Sequence, residues 1–235
     1  MVRLASVLTA LLLLTTPSSA SAVAGPGAGS DWVVTAQKRL NALGCHAGPP
    51  DGKVGRWTRS AVVRFQSRQG IKQSGHLDAR TRTRLYAEKA PRCDVRPVPR
   101  HSGAGRRIVI SQRQNWVWLV GPGGGVATQG PMIDNPSVLH RGSFRVGSYC
   151  GRAARIKLNQ STSGDVWLDN FVRFAPCGIG FHRIPRSQAN GEQIHADWIL
   201  GTDMTSSHGC IRLSRALSKR VWAFTTRHTP VRVVR

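Results

Sequence analysis

The sequence predicts a two-domain protein of α and β structure, with a small three-helix N-terminal domain followed by a mainly β domain. Apolar residues recur at helical spacing in the first third of the chain, and β-favouring runs separated by turn residues fill the second half. A segment rich in proline and arginine divides the two patterns. A chain of 235 residues with 40% hydrophobic content is long enough to bury a core in each domain.

The first 22 residues have the three parts of a secretory signal peptide. Arg3 precedes the largely apolar run 4–14, and the small residues at 18–22 resemble a cleavage site. The run is too short to span a bilayer comfortably, so a cleaved leader is favoured over an uncleaved anchor. No cysteine follows directly to carry a lipid, and no other segment is apolar enough to cross a membrane. The mature protein is therefore expected to be secreted, without stable membrane insertion.

The formal net charge of +23 indicates an anionic surrounding. Nucleic acid is the usual partner of such a charge, but the export signal argues against it. A nucleic-acid-binding protein of this charge would show an affinity that depends strongly on salt. Wall polymers or acidic lipid surfaces fit the compartment better. The charge is also spread along the chain, so a generally basic, solvated surface is an equally good interpretation.

Helical signals begin directly after a Gly/Ala/Pro-rich lead-in at 23–30. Trp32, Ala36, Leu40 and Leu43 recur at helical spacing, and a glycine follows where this helix is expected to end.

Two later stretches, 51–66 and 75–85, repeat one pattern: a Gly/Asp turn, a threonine near a helix start, and apolar residues at helical intervals. This predicts a three-helix unit at 31–90. The unit resembles the peptidoglycan-binding domain attached to many wall hydrolases, on the residues Leu43, Gly44, Asp51, Gly52, Gly55, Thr58, Ala61, Val62, Phe65, Gln66, Gly70, Gly75, Leu77, Asp78, Thr81 and Leu85. The resemblance implies binding to wall glycan. A helical spacer without a ligand is the alternative, because most matching residues explain folding more directly than recognition.

The segment 91–105 is expected to be an interdomain linker, since it has three prolines and no apolar periodicity. The mainly β domain then covers 106–235. The glycine-rich tract 121–125 lacks the Lys-Ser/Thr of a phosphate loop and predicts a hairpin turn. Strands are expected at 107–110, 116–120, 143–149, 165–172, 178–182 and 230–234, with one helix at 214–224. The tryptophans of this domain are interpreted as core residues in preference to a sugar-binding groove: Trp116, Trp118 and Trp167.

Five cysteines follow the signal peptide, in a compartment where disulfides persist. An odd number leaves one thiol over, and four cysteines allow three pairings. The domain boundaries favour Cys45 with Cys93 and Cys150 with Cys177, because each pair then lies within one domain. Cys210 is the cysteine left over.

Cys210 lies in the most specific motif of the chain, Thr-Ser-Ser-His-Gly-Cys-Ile-Arg-Leu at 205–213. The preceding Gly209 allows a close backbone approach, and the amides of Gly209 and Cys210 can form an oxyanion hole. A thiol with an ordinary pKa near 8.5 needs a positive or basic neighbour to become a thiolate at neutral pH. A structural or disulfide-bonded cysteine is the alternative interpretation.

Three histidines are candidates for that neighbour. His208 is the closest in sequence, two places before Cys210, and is expected to support the loop instead. His182 ends an apparent strand, and His195 lies in a loop. Spacing alone does not separate His182 from His195.

The motif at 207–212 is similar to the signature of the L,D-transpeptidase (YkuD-type) catalytic domain, and 178–185 resembles the strand that bears its histidine. The resemblance covers most of 107–235. It implies Cys210 as nucleophile and His182 as proton acceptor and donor, and His195 remains the alternative base because its spacing is closer to that of compact members. It also implies that three residues shape the site: Ser207, His208 and Gly209.

The resemblance further implies that Arg212 faces a substrate carboxylate, with a surface salt bridge as the alternative. The implied reaction is acyl transfer on peptidoglycan stem tetrapeptides with release of D-alanine. Water as acceptor gives an L,D-carboxypeptidase, an inactive wall-binding protein is the rival from another class, and the acceptor, stem chemistry and oligomeric state stay open. No cofactor is implied, and no Cys/His spacing of a metal site is present.

Overall fold

The computed structural model describes residues 28–235, so the predicted signal peptide at 1–22 lies outside the described part. Within that part, no helix has the length and apolar character needed to cross a membrane. The predicted order of a small helical domain followed by a sheet-rich domain is confirmed.

The N-terminal domain consists of α1 (Ala28–Ala42), α2 (Arg56–Gln69) and α3 (Ala79–Leu85). Most of the residues predicted at helical spacing pack together in one buried cluster, which contains Ala36, Leu40, Leu43, Ala61, Val62, Phe65 and Leu85. Trp32, which shares that spacing, is exposed instead. The Asp78 carboxylate caps α3 by accepting from the Thr81 amide at 2.7 Å. Gly70 ends α2 with a φ of 65°, a conformation that glycine adopts without strain.

Two buried glutamines explain the repeat seen in the sequence. Gln37 on α1 donates to the Thr58 hydroxyl at the start of α2, at 2.9 Å. Gln66 on α2 donates to the Thr81 hydroxyl at the start of α3, at 3.0 Å. Each glutamine oxygen also accepts the amide of the glycine in the intervening turn. Every Gly/Asp turn is therefore fastened to the helix before it.

Within residues 28–235 the second domain forms a ten-stranded mixed sheet, in the order β4-β10-β1-β2-β3-β9-β7-β6-β5, with β8 paired to β6. Its strands are β1 Arg107–Ser111, β2 Trp116–Val120, β3 Val126–Ile133, β4 Gly142–Arg145, β5 Arg155–Gln160, β6 Val166–Arg173, β7 Gly180–Arg183, β8 Arg186–Ser187, β9 Ile211–Leu213 and β10 Pro230–Val234. Helix α4 (Arg215–Phe224) packs Leu217 and Val221 against the main core. Strands β3, β5, β8 and β9 were not expected from the sequence.

The central strands are buried on both faces. Ile108 and Ile110 of β1 face the main core, whereas Val109 faces a second cluster with Trp116 and Trp118. These two tryptophans are therefore core residues.

The segment 91–105 packs between the two domains. Arg96 lies fully buried, and its guanidinium donates to the carbonyls of Cys93, Gln114 and Arg64. Its own carbonyl accepts the indole N–H of Trp118 at 2.9 Å. The connection thus contributes hydrogen bonds to both domains.

A second buried arginine joins α2 to the sheet-rich domain. Arg64 donates to the carbonyls of Trp198 and Leu200, both at 2.8 Å, and to the carbonyl of Cys45 at 2.8 Å. Burial lowers the pKa of Arg64 to about 10, so the side chain stays charged at neutral pH. Arg64 therefore holds the segment that leads into the Cys210 motif against the helical domain.

Candidate active site

Three neighbouring strands form the floor of the candidate site. β7 pairs with β9 in parallel and with β6 in antiparallel orientation. The parallel register places His182 beside Arg212. Two residues earlier, the same register brings Gly180 beside Cys210, which directly precedes β9. Since residues two apart on a strand face the same side, Cys210, His182 and Arg212 share one face of the sheet.

Strand β6 extends this face on the other side of β7. Arg173 pairs with Gly180. Phe171 lies alongside His182, and their rings stack with centroids 6.1 Å apart. Two rows result, which we call the thiol row (Arg173, Gly180 and Cys210) and the imidazole row (Phe171, His182 and Arg212).

Cys210 is a free, partly buried cysteine. Its thiol donates to the carbonyl of Gly178, with sulfur and oxygen 3.3 Å apart. Burial raises the pKa of the Cys210 thiol, while the Gly180 backbone amide and the charges of Arg173 and Arg212 act in the opposite direction. The resting thiol is therefore protonated, and a base must take its proton before it can attack a carbonyl.

His182 is buried, with 3% of its surface exposed. Its Nδ1 lies 2.5 Å from the carbonyl oxygen of Arg183. Because a carbonyl only accepts hydrogen bonds, Nδ1 must carry the proton and Nε2 keeps a free lone pair. Burial lowers the pKa of His182 to about 4, against the weaker opposing effect of the Arg183 carbonyl. The imidazole is thus neutral at neutral pH, and its Nε2 lone pair is free to accept a proton.

The other two histidines occupy different positions. His182, His208 and Cys210 line one cleft of about 710 Å³, whereas His195 is not among the residues that line it. His195 is partly exposed, and burial followed by the charge of Arg212 lowers its pKa. His208 is exposed at the rim of the cleft.

The turn before Cys210 is held by the loop that follows β3. The Ser207 amide donates to the Asp134 carbonyl at 3.1 Å, and the Asn135 side chain donates to the Ser207 carbonyl at 2.8 Å. Gly209 has a φ of 122°, and a Cβ built there lies 2.8 Å from the side chain of Val138. Only glycine fits this position without displacing the loop. These loop residues were not among the predicted site residues, although the turn sequence Asp-Asn-Pro at 134–136 is visible in the chain.

The Gly209 amide donates to the hydroxyl of Ser207 at 2.9 Å. This amide was one of the two expected to form an oxyanion hole, and in the free protein it is already engaged. Ser207 therefore holds the turn in two ways: its backbone amide and carbonyl bind Asp134 and Asn135, and its hydroxyl accepts from the Gly209 amide. Nearby, burial raises the pKa of Asp134 to about 6, with Gln112 as an opposing hydrogen-bond donor.

Arg212 lies within the cleft with 8% of its surface exposed. Among the described residues, no ion pair involves Arg212. Asp169 on β6 pairs instead with Arg183 and Arg186. The surface salt bridge considered for Arg212 is therefore not present in the described structure.

Two further sequence expectations concern cysteines and metals. Cys45 and Cys93 form a disulfide that spans 48 residues. Cys150 is also disulfide-bonded, but the Cys177 side chain lies outside the described residues, so their pairing stays a prediction. Between residues 28 and 235, the described side chains include no group of three or more His, Cys, Asp or Glu placed to hold a metal ion.

Comparison with known proteins gives two family matches. Residues 104–233 match the L,D-transpeptidase catalytic domain, YkuD, and residues 30–85 match a peptidoglycan binding domain. Since the first match spans more than half of the chain, the chain belongs to the L,D-transpeptidase catalytic domain family. Both resemblances inferred from the motifs are thereby confirmed.

Several solved structures are similar to this chain, and the first of them supports the fold. An L,D-transpeptidase from Xylanimonas cellulosilytica matches with a TM-score of 0.50 and 21% identity, over 86% of this chain and 93% of that one. An L,D-transpeptidase from Stackebrandtia nassauensis matches with a TM-score of 0.45 and 18% identity, over 88% and 92% of the two chains. An L,D-transpeptidase from Mycobacterium smegmatis matches with a TM-score of 0.43 and 18% identity, over 57% of this chain and 60% of that one. No curated protein matches the chain.

Proposed function

We propose that this protein is a cysteine-dependent L,D-transpeptidase that acts on peptidoglycan stem tetrapeptides. The observation that carries the proposal is the shared sheet face on which a free thiol and a neutral, correctly protonated imidazole line one open cleft. Family membership supports the same chemistry. Cys210 is the proposed nucleophile and His182 the proposed general base and acid.

The first half-reaction follows from the protonation states of these two groups. His182 Nε2 takes the thiol proton, which breaks the hydrogen bond from Cys210 to the Gly178 carbonyl. The thiolate then attacks the carbonyl carbon of the penultimate residue, diaminopimelate. As the peptide C–N bond breaks, the imidazolium returns the proton to the nitrogen of the leaving D-alanine. The product is a thioester on Cys210 and free D-alanine.

The second half-reaction uses the same two side chains. An amine of a neighbouring stem attacks the thioester carbonyl and passes a proton to His182. The C–S bond breaks, the sulfur recovers its proton, and a new amide cross-link remains. Water in place of the amine gives a shortened stem without a cross-link, which is the carboxypeptidase outcome. Attachment of a wall protein is a third outcome of the same chemistry.

The remaining parts have supporting roles in this proposal. Arg212, unpaired by any described carboxylate, is placed to receive a carboxylate of the stem peptide. Ser207, His208 and Gly209 shape the turn that presents the thiol. The helical domain binds peptidoglycan, and the substrate sets an extracytoplasmic, wall-associated location, consistent with the predicted signal peptide and the net charge of +23.

The test is mass spectrometry of the mature protein incubated with a disaccharide-tetrapeptide. The expected products are free D-alanine and a cross-linked dimer, both absent with Cys210→Ala. His182→Gln should abolish turnover, and the matched variant His195→Gln should retain it. Shortened stems without dimers would indicate the carboxypeptidase. Intact substrate with the folded wild-type protein, still pelleting with cell walls, would contradict the enzyme and favour a binding protein.

A further inference from the structure

Arg173, at the end of β6, is a buried cation whose hydrogen-bonding capacity is largely unused. Its side chain has 0% of its surface exposed. Nε donates to the Ala153 carbonyl at 3.2 Å, and the guanidinium lies 4.9 Å from the ring centroid of Phe171. Both terminal nitrogens, Nη1 and Nη2, find no hydrogen-bond partner among the described residues. A buried donor without a partner is destabilising, and more so when the group is charged.

Among the residues that the structure describes, no carboxylate acts on the charge of Arg173. The charged and titratable groups that act on it are Arg152 and the Cys210 thiol. Arginine does not give up its proton in proteins, so the positive charge persists despite burial. The missing partner is therefore an anion that the free protein does not supply.

The thiol row places this cation next to the chemistry. Arg173 and Cys210 flank Gly180 on one face of the sheet, two strand spacings or about 10 Å apart along the hydrogen-bonding direction. Gly180 has no side chain to separate them. Both residues line the cleft, and the long arginine side chain shortens the remaining distance to the sulfur.

We propose that Arg173 binds the terminal carboxylate of the donor peptide, the carboxylate of the residue that leaves. This assignment rests on the function proposed above. The terminal carboxylate lies one residue beyond the carbonyl attacked by Cys210, about 3.8 Å further along the peptide. Because the attacked carbonyl and the terminal carboxylate are separated by this short distance, a cation that binds the carboxylate must lie near the thiol. The two free N–H ends of Arg173 match a carboxylate in bidentate geometry.

Arg212 serves a different carboxylate in this arrangement. It lies two residues from Cys210 along the strand direction, roughly 7 Å away, in the imidazole row. Arg173 instead lies across the strands, in the thiol row. Since Nη1 and Nη2 are shielded from solvent, the terminal carboxylate reaches them only with a local opening of the cleft wall.

The experiment measures binding without turnover, in a Cys210→Ala background. Calorimetry compares the tetrapeptide that ends in a free carboxylate with the same peptide ending in a carboxamide. The free acid should bind at least about tenfold more tightly. Arg173→Gln should remove that preference, and Arg173→Lys, which keeps the charge but loses the fork, should retain only part of it. Arg227→Gln, at an exposed arginine outside the lining of the cleft, should leave it unchanged.

Equal binding of acid and amide by the protein with Arg173 intact would overturn the proposal, and this comparison needs no Arg173 variant to fold. A preference that survives in Arg173→Gln would overturn it as well. If Arg173 served only the Cys210 thiolate, Arg173→Gln in the wild-type background would slow acid and amide donors equally, which also contradicts the assignment. Because binding is measured without the thiol, absence of turnover by the wild-type protein would defeat the proposed function separately.

Discussion

Gly180 is the residue whose replacement tests the arrangement of the two rows most sharply. A Cβ at this position lies 2.7 Å from Phe171 Cζ and 2.7 Å from the Val172 carbonyl oxygen. The carbonyl belongs to the paired strand β6 and moves only if β6 and β7 separate. The Phe171 ring is buried and stacked on His182, so its displacement also disturbs the imidazole. Gly180→Ala should therefore affect both stability and the site.

The size of the effect follows from two opposing contributions. Overpacking a core position costs about 1–3 kcal/mol. Replacing glycine restricts the unfolded chain and returns about 0.4–1 kcal/mol. A net loss of about 1–2 kcal/mol is expected, which lowers Tm by roughly 2–8 °C for a chain of this size.

The assay is urea and thermal unfolding of Gly180→Ala beside Gly125→Ala, followed by turnover of the tetrapeptide. Gly125 has open space where a Cβ would lie and no positive φ, so its variant should match the wild type in stability and turnover. Equal stability and turnover of the two variants would refute the close contact of Gly180 with Phe171 and the Val172 carbonyl.

Three other predictions concern the disulfide, the domain contact and the thiol. Replacing both Cys45 and Cys93 with alanine removes a cross-link of 48 residues and should cost about 4 kcal/mol in urea unfolding; an unchanged midpoint would contradict this. Arg64→Met leaves buried carbonyls of both domains unpaired and should cost about 2–3 kcal/mol, whereas the more exposed control Arg68→Met should cost at most about 0.5 kcal/mol; equal losses would argue against the contact. The raised pKa of Cys210 means that iodoacetamide alkylation of the free protein should keep accelerating as pH rises past the ordinary thiol pKa of about 8.5, and a plateau below pH 8 would show the opposite shift.

The helical domain was predictable because its signals are local. Each Gly/Asp turn and the threonine after it belong to one short stretch, and the glutamine that fastens the turn lies on the preceding helix. The Cys210 motif was visible for the same reason, since its glycine, thiol and arginine are consecutive in the chain.

Other parts of the site depend on contacts between distant segments. His182 and Cys210 are brought onto one face by parallel pairing of β7 with β9, and β9 has only three residues. Nothing in the spacing of His182 and His195 reveals which of them such a short strand will meet. The loop at 134–139 that holds the Cys210 turn follows β3, whose Gly-Pro interruption conceals the strand pattern.

The burial of two arginines could not be predicted from the sequence either. Arginine on a strand or in a proline-rich segment ordinarily indicates exposure. Arg173 and Arg96 are nevertheless fully buried, one in the cleft wall and one between the domains. The composition of segment 91–105 predicted a linker. Its packing depends on the carbonyl groups that accept hydrogen bonds from Arg96, which the composition does not reveal.

The most direct test of the account is intact-protein mass spectrometry after brief mixing with a tetrapeptide donor and no acceptor amine. The wild-type protein should gain a mass equal to the donor minus D-alanine. This mass should lie on the peptide that contains Cys210, and hydroxylamine should release it, as expected for a thioester. Cys210→Ala should show no gain. An unmodified wild-type protein beside intact donor, with the fold preserved, would contradict acyl transfer through Cys210.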